Sequence, residues 1–263
     1  MEKNYKFIKV ESKDNIWTVA INKPEAMNAI DMNVLEEMIS IFNNINKEKS
    51  CRVVVLKGEG KAFCAGGDFS LPLFDNTSSK MIFTDMERFG ELIFAIKNLS
   101  MPIIAAVNGA AVGAGMNIAL ACDIIICSEN AKFGEVFSRI GVHPDCGGTY
   151  FLPRLVGTYK ACELMFLGDI FGAKEAKEIG IVNKVVESDK FNEEVENFAK
   201  NIAKGPPFAI SLIKKSIYKG IENDLNSQLK LESLNQTMCM LSEDKKEGIS
   251  AFKEKRKPKF KGQ

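Results

Sequence analysis

The sequence predicts an α/β domain with parallel strands, followed by a helical C-terminal region. Up to about Ser128, short β-branched runs alternate with stretches of helical period. Two of the runs, Pro102 to Val107 and Ile124 to Cys127, are continuously apolar, as strands buried on both faces are. After Asn183 the pattern becomes helical.

Ile16 to Ile21 and Arg52 to Leu56 are strand candidates, rich in β-branched residues and bounded by turn formers. Between them Val34, Leu35, Met38, Ile39 and Phe42 recur at the spacing of one helix face. Asp31 is placed to cap that helix, because a side-chain oxygen there accepts from a first-turn N–H. Leu71 to Asp85 contains the polar run Asn76-Thr77-Ser78-Ser79-Lys80 and reads as a mobile surface loop or a lid over a pocket. Gly205-Pro206-Pro207 punctuates the change to helix, with proline suited to the first turn. Phe208, Ile210, Leu212, Ile213 and Ile217 then form an apolar stripe, and further helices are expected around Asn226 to Met240 and Ser242 to Lys253. These late helices carry more apolar surface than a free appendage should, so they are expected to pack on the α/β core or on a neighbouring subunit.

The chain has 263 residues, 46% of them hydrophobic, and a formal net charge of +1. It can bury a sizeable core, and it offers no global electrostatic attraction to nucleic acid or membrane. No apolar h-region follows the N-terminus and no apolar run approaches a membrane span, so a cytoplasmic protein is expected. Seven cysteines without CxxC spacing suggest buried free thiols, not a disulfide framework or a zinc site. The single histidine, His143, argues against multi-histidine metal sites and reads first as a structural residue. No nucleophile elbow or Walker loop is present.

Two glycine-rich loops carry most of the functional information. The first is Ala62-Phe63-Cys64-Ala65-Gly66-Gly67-Asp68. The second runs from Asn108 to Asn117, after an apolar strand and into an apolar helix. Small residues let a ligand approach the backbone, and a helix start presents free N–H groups. Two such donors converging on one oxygen would make an oxyanion hole. A third stretch, Phe133 to Thr149, presents Glu135 and Asp145 in a glycine-rich loop, where functional carboxylates are often found. On local sequence alone, a turn or N-cap aspartate is the commoner use of Asp145.

Taken together these residues resemble the crotonase, or enoyl-CoA hydratase/isomerase, superfamily over nearly the full length. The matching segments are Asn22 to Ala29, Ala62 to Asp68, Ala105 to Asn117 and Cys122-Asp123-Ile124. Gly147-Gly148-Thr149 with Leu152-Pro153-Arg154, and Phe252 to Arg256, complete the set. The resemblance implies a ClpP-like spiral of ββα units over residues 1–200. It also implies a helical trimerisation region over 201–263, and a homotrimer or dimer of trimers. It implies acyl-CoA thioester ligands, with coenzyme A entering as part of the substrate and no separate cofactor or metal. The N–H groups of Gly67 and Ala114 would hold the thioester oxygen. Ala26, Ala65, Asp68 and Phe69 match positions lining the CoA groove, and Phe252 and Lys255 match positions near the adenine end, often contributed by a neighbour.

The two glutamates of the family's ordinary hydratases fall on Asn117 and Phe137 here. Asn117 can orient a water but cannot take its proton, and Phe137 can do neither, so ordinary hydration is not expected. Asp145 matches an aspartate that is catalytic in other branches. Its surroundings, Pro144 to Thr149 with Phe151 to Arg154, look most like the epoxyphenylacetyl-CoA isomerase type. The resemblance therefore implies a double-bond isomerase in which Asp145 shuttles a proton. The alternatives are a hydratase using Glu135 or a water held by Asn117, and a dehalogenase-like route through Asp145. A non-catalytic CoA- or RNA-binding protein is a further one, suggested by the basic tail Lys253 to Lys261. No nucleic-acid or membrane partner is expected.

Overall fold

The computed structural model describes residues 5–69 and 78–263. A hairpin opens the chain: β1 (Ile8–Lys13) pairs antiparallel with β2 (Ile16–Ile21). Its turn residues Asp14 and Asn15 both have positive φ, the conformation a tight two-residue hairpin requires. Helix α1 (Met32–Ile45) follows, with the Asp31 carboxylate capping it by accepting from the Val34 N–H, as expected. Next come β3 (Val53–Gly58), β4 (Ala62–Cys64) and α2 (Ser79–Lys97). Then β5 (Ile103–Val107), β6 (Ala110–Val112) and α3 (Ala114–Ala121) repeat the order. So do β7 (Ile124–Ser128), β8 (Lys132–Gly134) and α4 (Gly148–Val156). The rest comprises α5 (Thr158–Leu167), β9 (Ile170–Gly172), α6 (Ala173–Glu178), β10 (Lys184–Val186) and α7 (Phe191–Ala203). Helices α8 (Pro207–Gly220), α9 (Leu225–Met240) and α10 (Glu243–Lys253) end the chain.

In each ββα unit after the hairpin, one strand joins a six-stranded sheet of order β1-β2-β3-β5-β7-β10. The next joins a four-stranded sheet of order β4-β6-β8-β9. This is the expected spiral. Pairing is parallel from β2 through β10 and from β4 through β8, and antiparallel only at β1–β2 and β8–β9. The two-residue period of β3 explains its continuous apolar run. Val54 and Leu56 join the main core, whereas Val53 and Val55 join a second core formed with Phe191, Val195 and Ala199 of α7.

One expectation is corrected. Residues 71–77 of the proposed lid lie outside the described residues, but Ser78 to Asp85 is not a loop. Ser78 caps α2 by accepting from the Met81 N–H. Buried Phe89, Leu92, Ile93 and Ile96 fix the helix downstream. The described part of the polar run, Ser78-Ser79-Lys80, is thus a helix start, which serines favour.

Helix α8 is fastened to the sheet edge by polar groups. The Asp123 carboxylate, at the start of β7, accepts from Tyr218 Oη at 2.6 Å and from the Ile103 N–H at 2.8 Å. It lies 2.7 Å from Lys214 Nζ. The apolar residues of this region remain uncovered: Ile213, Ile217, Leu225, Leu229 and Leu234 are all exposed, and α9 buries none of its side chains. Among the described residues no helix is long and apolar enough to cross a membrane.

Candidate active site

The segment Asn22 to Ala29 is a brace for the first glycine loop. A short 3-10 turn, Pro24–Ala26, is followed by Met27 and Asn28, both with positive φ. Asn28 is fully buried. Its side-chain amide donates to the carbonyls of Glu59 and Ala62, each at 2.8 Å, and its side-chain oxygen accepts from the Lys23 N–H at 2.9 Å. The loop itself is clamped on both sides of Gly67. Ala65 N–H donates to Met27, Ile30 N–H to Gly66, and Asp68 N–H to Ile30. Ala26 and Ala65 therefore sit on either side of Met27, in one braced unit.

The second loop is pressed directly against the first. Ala114 opens α3, where its N–H is one of the four without an acceptor inside the helix. Gly66 has φ +97°, and a side chain there would lie 3.0 Å from the Val112 carbonyl and 3.6 Å from the Ala114 nitrogen. Gly115 is tighter still, because a Cβ would come within 2.2 Å of the Cys64 carbonyl. Only glycine permits that approach. The turns carrying Gly67 and Ala114 thus touch. Phe137 is buried next to them, its ring 3.7 Å from where a Cβ on Gly113 would stand.

One helical turn beyond Ala114, Asn117 is fully buried, and its amide donates to the Asp145 carbonyl at 2.9 Å. The Asp145 side chain does not cap α4. Helix α4 begins at Gly148 without a side-chain cap, and Asp145 Oδ1 is buried with no hydrogen-bond partner. The next residue, Cys146, holds a left-handed backbone, φ +49°, which is strained for a residue with a side chain. Burial raises the Asp145 carboxyl above the usual range, opposed by the Cys146 thiol, its own backbone amide and His143.

Glu135 belongs to the same cluster. It is fully buried and neither carboxyl oxygen has a hydrogen-bond partner. Burial pushes it up to about 8. The adjacent Asn117 amide works against that rise without closing a hydrogen bond, and the Asp145 charge adds to it. Cys146 and Cys64 complete the surroundings. Burial raises both thiols, Cys64 to about 12, so they are neutral near pH 7.

The remaining candidates are dispersed. Asp68 accepts from Lys23 Nζ at 2.7 Å, and the same ammonium reaches Asp31 at 2.8 Å. Burial disfavours the Lys23 charge, but hydrogen bonds to the two carboxylates outweigh it and raise its pKa. Phe69 is exposed at the loop's end. Phe252 is exposed on α10 and Lys255, with φ +56°, lies just past it; neither is part of the cluster. His143 is exposed, with Nδ1 2.6 Å from the Pro144 carbonyl, in keeping with a structural role. Sequence reasoning expected buried free thiols, as Cys64 and Cys146 are, but did not place them beside the carboxyls, and it missed the Lys23 triad. Lys23 stands inside the first matching motif, but nothing local marks an ion pair across 45 residues.

Residues 11–263 match the sequence profile of the enoyl-CoA hydratase/isomerase family. The chain is 35% identical to the 1,2-epoxyphenylacetyl-CoA isomerase of Escherichia coli over 258 residues, 97% of this chain and 98% of that protein. It is equally 35% identical to the crotonyl-CoA hydratase of Syntrophomonas wolfei, with the same coverage. The crystal structure of an enoyl-CoA hydratase from Bacillus anthracis superposes with a TM-score of 0.94 at 35% identity, covering 98% of this chain and 100% of that one. The spiral of ββα units, the two touching glycine turns and these matches agree: the chain is an enzyme of the enoyl-CoA hydratase/isomerase, or crotonase, family.

Proposed function

We propose that this enzyme moves the double bond of an enoyl-CoA from C3 to C2, with Asp145 as the proton carrier. One observation carries the reading: the Asp145 carboxyl, its Oδ1 buried and unpartnered, stands on the loop tied to the second glycine turn through Asn117, while the positions that the resemblance gives to the hydratase glutamates hold Asn117 and Phe137. Asp145 removes a proton from C2. The C–H electron pair spreads through the C3–C4 double bond and the thioester, giving a dienolate with its charge on the thioester oxygen. The N–H groups of Gly67 and Ala114 hold that oxygen, and one such donor is worth about 2.7–4 kcal/mol in the transition state. The protonated Asp145 returns its proton at C4, leaving the double bond between C2 and C3. No water takes part, and the Phe137 ring keeps it out. The raised pKa makes Asp145 a stronger base than a solvated carboxylate.

Ala26, Ala65, Asp68 and Phe69 would line the groove for the CoA moiety. Phe252 and Lys255 would reach a neighbour's adenine end in a homotrimer or dimer of trimers built on residues 201–263. The uncovered apolar residues of α8 and α9 support that assembly. Incubating 3-hexenoyl-CoA with the protein and with Asp145→Asn tests the reading. Conjugated 2-enoyl thioester should appear with the wild type alone, and turnover by the variant would refute it.

A hydratase reading is kept because Glu135 is buried in the same cluster and could supply a second carboxyl. Loss of conjugated absorbance from crotonyl-CoA, abolished by Glu135→Gln, would favour it.

A further inference from the structure

A second carboxyl belongs to the same cluster as Asp145, and the isomerisation above does not use it. Glu135 stands between β8 and the short 3-10 segment Val136–Ile140, fully buried. A buried acidic side chain is normally paired with a cation. Here its oxygens are unpartnered, and so are Asp145 Oδ1 and Asn117 Oδ1.

The groups facing the cluster are few. From α3 comes neutral Asn117, from the glycine-rich loop Asp145 and the Cys146 thiol, and from β4 the Cys64 thiol. His143 is exposed and acts on Asp145. Arg139 and Asp169 pair with each other at the surface, 2.7 Å apart. Among the described residues no cation hydrogen-bonds to either carboxyl. Fully buried and unpaired, with the Asp145 charge nearby, Glu135 is disfavoured as an anion, so near neutral pH the pair keeps one proton. Glu135 is fully enclosed, whereas Asp145 is partly accessible and has the Cys146 thiol and His143 to favour its anion.

We infer that Glu135 is a positioning residue that holds the pair's proton, leaving the single negative charge on Asp145. The inference rests on Asp145 being the base. It keeps that base ionised and keeps a second charge away from the dienolate.

Infrared spectra at pH 7 locate the proton without turnover. The protonated-carboxyl band should be present in the wild type and in Asp145→Asn, and absent in Glu135→Gln. A band surviving in Glu135→Gln, or missing from the wild type, overturns the inference. Turnover of 3-hexenoyl-CoA against pH then shows whether the proton matters to catalysis. The wild type should fall above pH 8, to roughly tenfold below its plateau by pH 9, as Glu135 ionises. Glu135→Gln should stay flat over that range; a falling limb retained in that variant also overturns the inference. An active Asp145→Asn would defeat the reading of the base but would not move the infrared band, so the two failures are distinguishable.

Discussion

The side-chain amide of Asn117 donates to the backbone carbonyl of Asp145 across 2.9 Å, joining residues 28 apart in sequence. The bond ties the helix that begins with one proposed oxyanion donor to the loop that carries the proposed base. The family resemblance implies a glutamate at the Asn117 position in the ordinary hydratases. Here the side chain sets where Asp145 stands.

Asn117→Ala should therefore lower stability and disturb catalysis together. The Asp145 carbonyl keeps the Gly148 N–H as a donor, so losing the Asn117 bond costs about 0.5–1.5 kcal/mol. Chemical denaturation and turnover of an enoyl-CoA are the two measurements. An unchanged denaturation midpoint would show that the bond contributes nothing to holding the loop.

Gly115→Ala should be more severe than an ordinary glycine substitution in a helix. The added methyl would meet the Cys64 carbonyl at 2.2 Å, so the two glycine turns must separate. Overpacking of this kind typically costs about 1–3 kcal/mol. Affinity for an acyl-CoA, measured by calorimetry, should fall along with stability.

Lys23→Met removes the cation from between two carboxylates whose side chains are 19% and 18% exposed. Asp31 and Asp68 would then lose the cation they share. Because the triad is only partly buried, the expected cost is about 1–3 kcal/mol, between the surface and fully buried cases. Thermal melting checks it, and raised salt should recover part of the loss.

Much of the fold is legible in the sequence because its longer strands are β-branched runs with clear turn formers. Ile16–Ile21 is read without error, and Arg52–Leu56 is displaced by only a residue or two from β3. Asp31 behaves as the cap its position suggests. The second strand of each ββα unit is not legible from periodicity. Ala62–Cys64, Ala110–Val112 and Lys132–Gly134 have three residues each, too few to show a period. In the site, the glycine turns and Asp145 stand out because glycines and motif order mark them. The Lys23 triad and the left-handed Cys146 do not, since both arise from contacts between distant segments. Ser78 to Asp85 is misread because a polar N-cap and a polar loop share the same residues.

Stability should also depend on pH through Glu135. Its carboxyl has an ordinary value of 4.5 and is raised to about 8 in the fold. Its contribution is fully present below about 4.5 and is lost as pH rises through about 8, because the unfolded chain ionises first. The melting temperature of Glu135→Gln minus that of the wild type should grow between those limits and level off above them. A difference that does not change with pH would show that the carboxyl is not raised by the fold.

The most direct measurement of the central claim, that Asp145 carries one proton from C2 to C4, uses 3-hexenoyl-CoA doubly deuterated at C2. The account predicts 2-hexenoyl-CoA with one deuterium at C2 and one at C4, and no such product from Asp145→Asn. Product with no deuterium at C4, or a 3-hydroxyacyl thioester in its place, would contradict it.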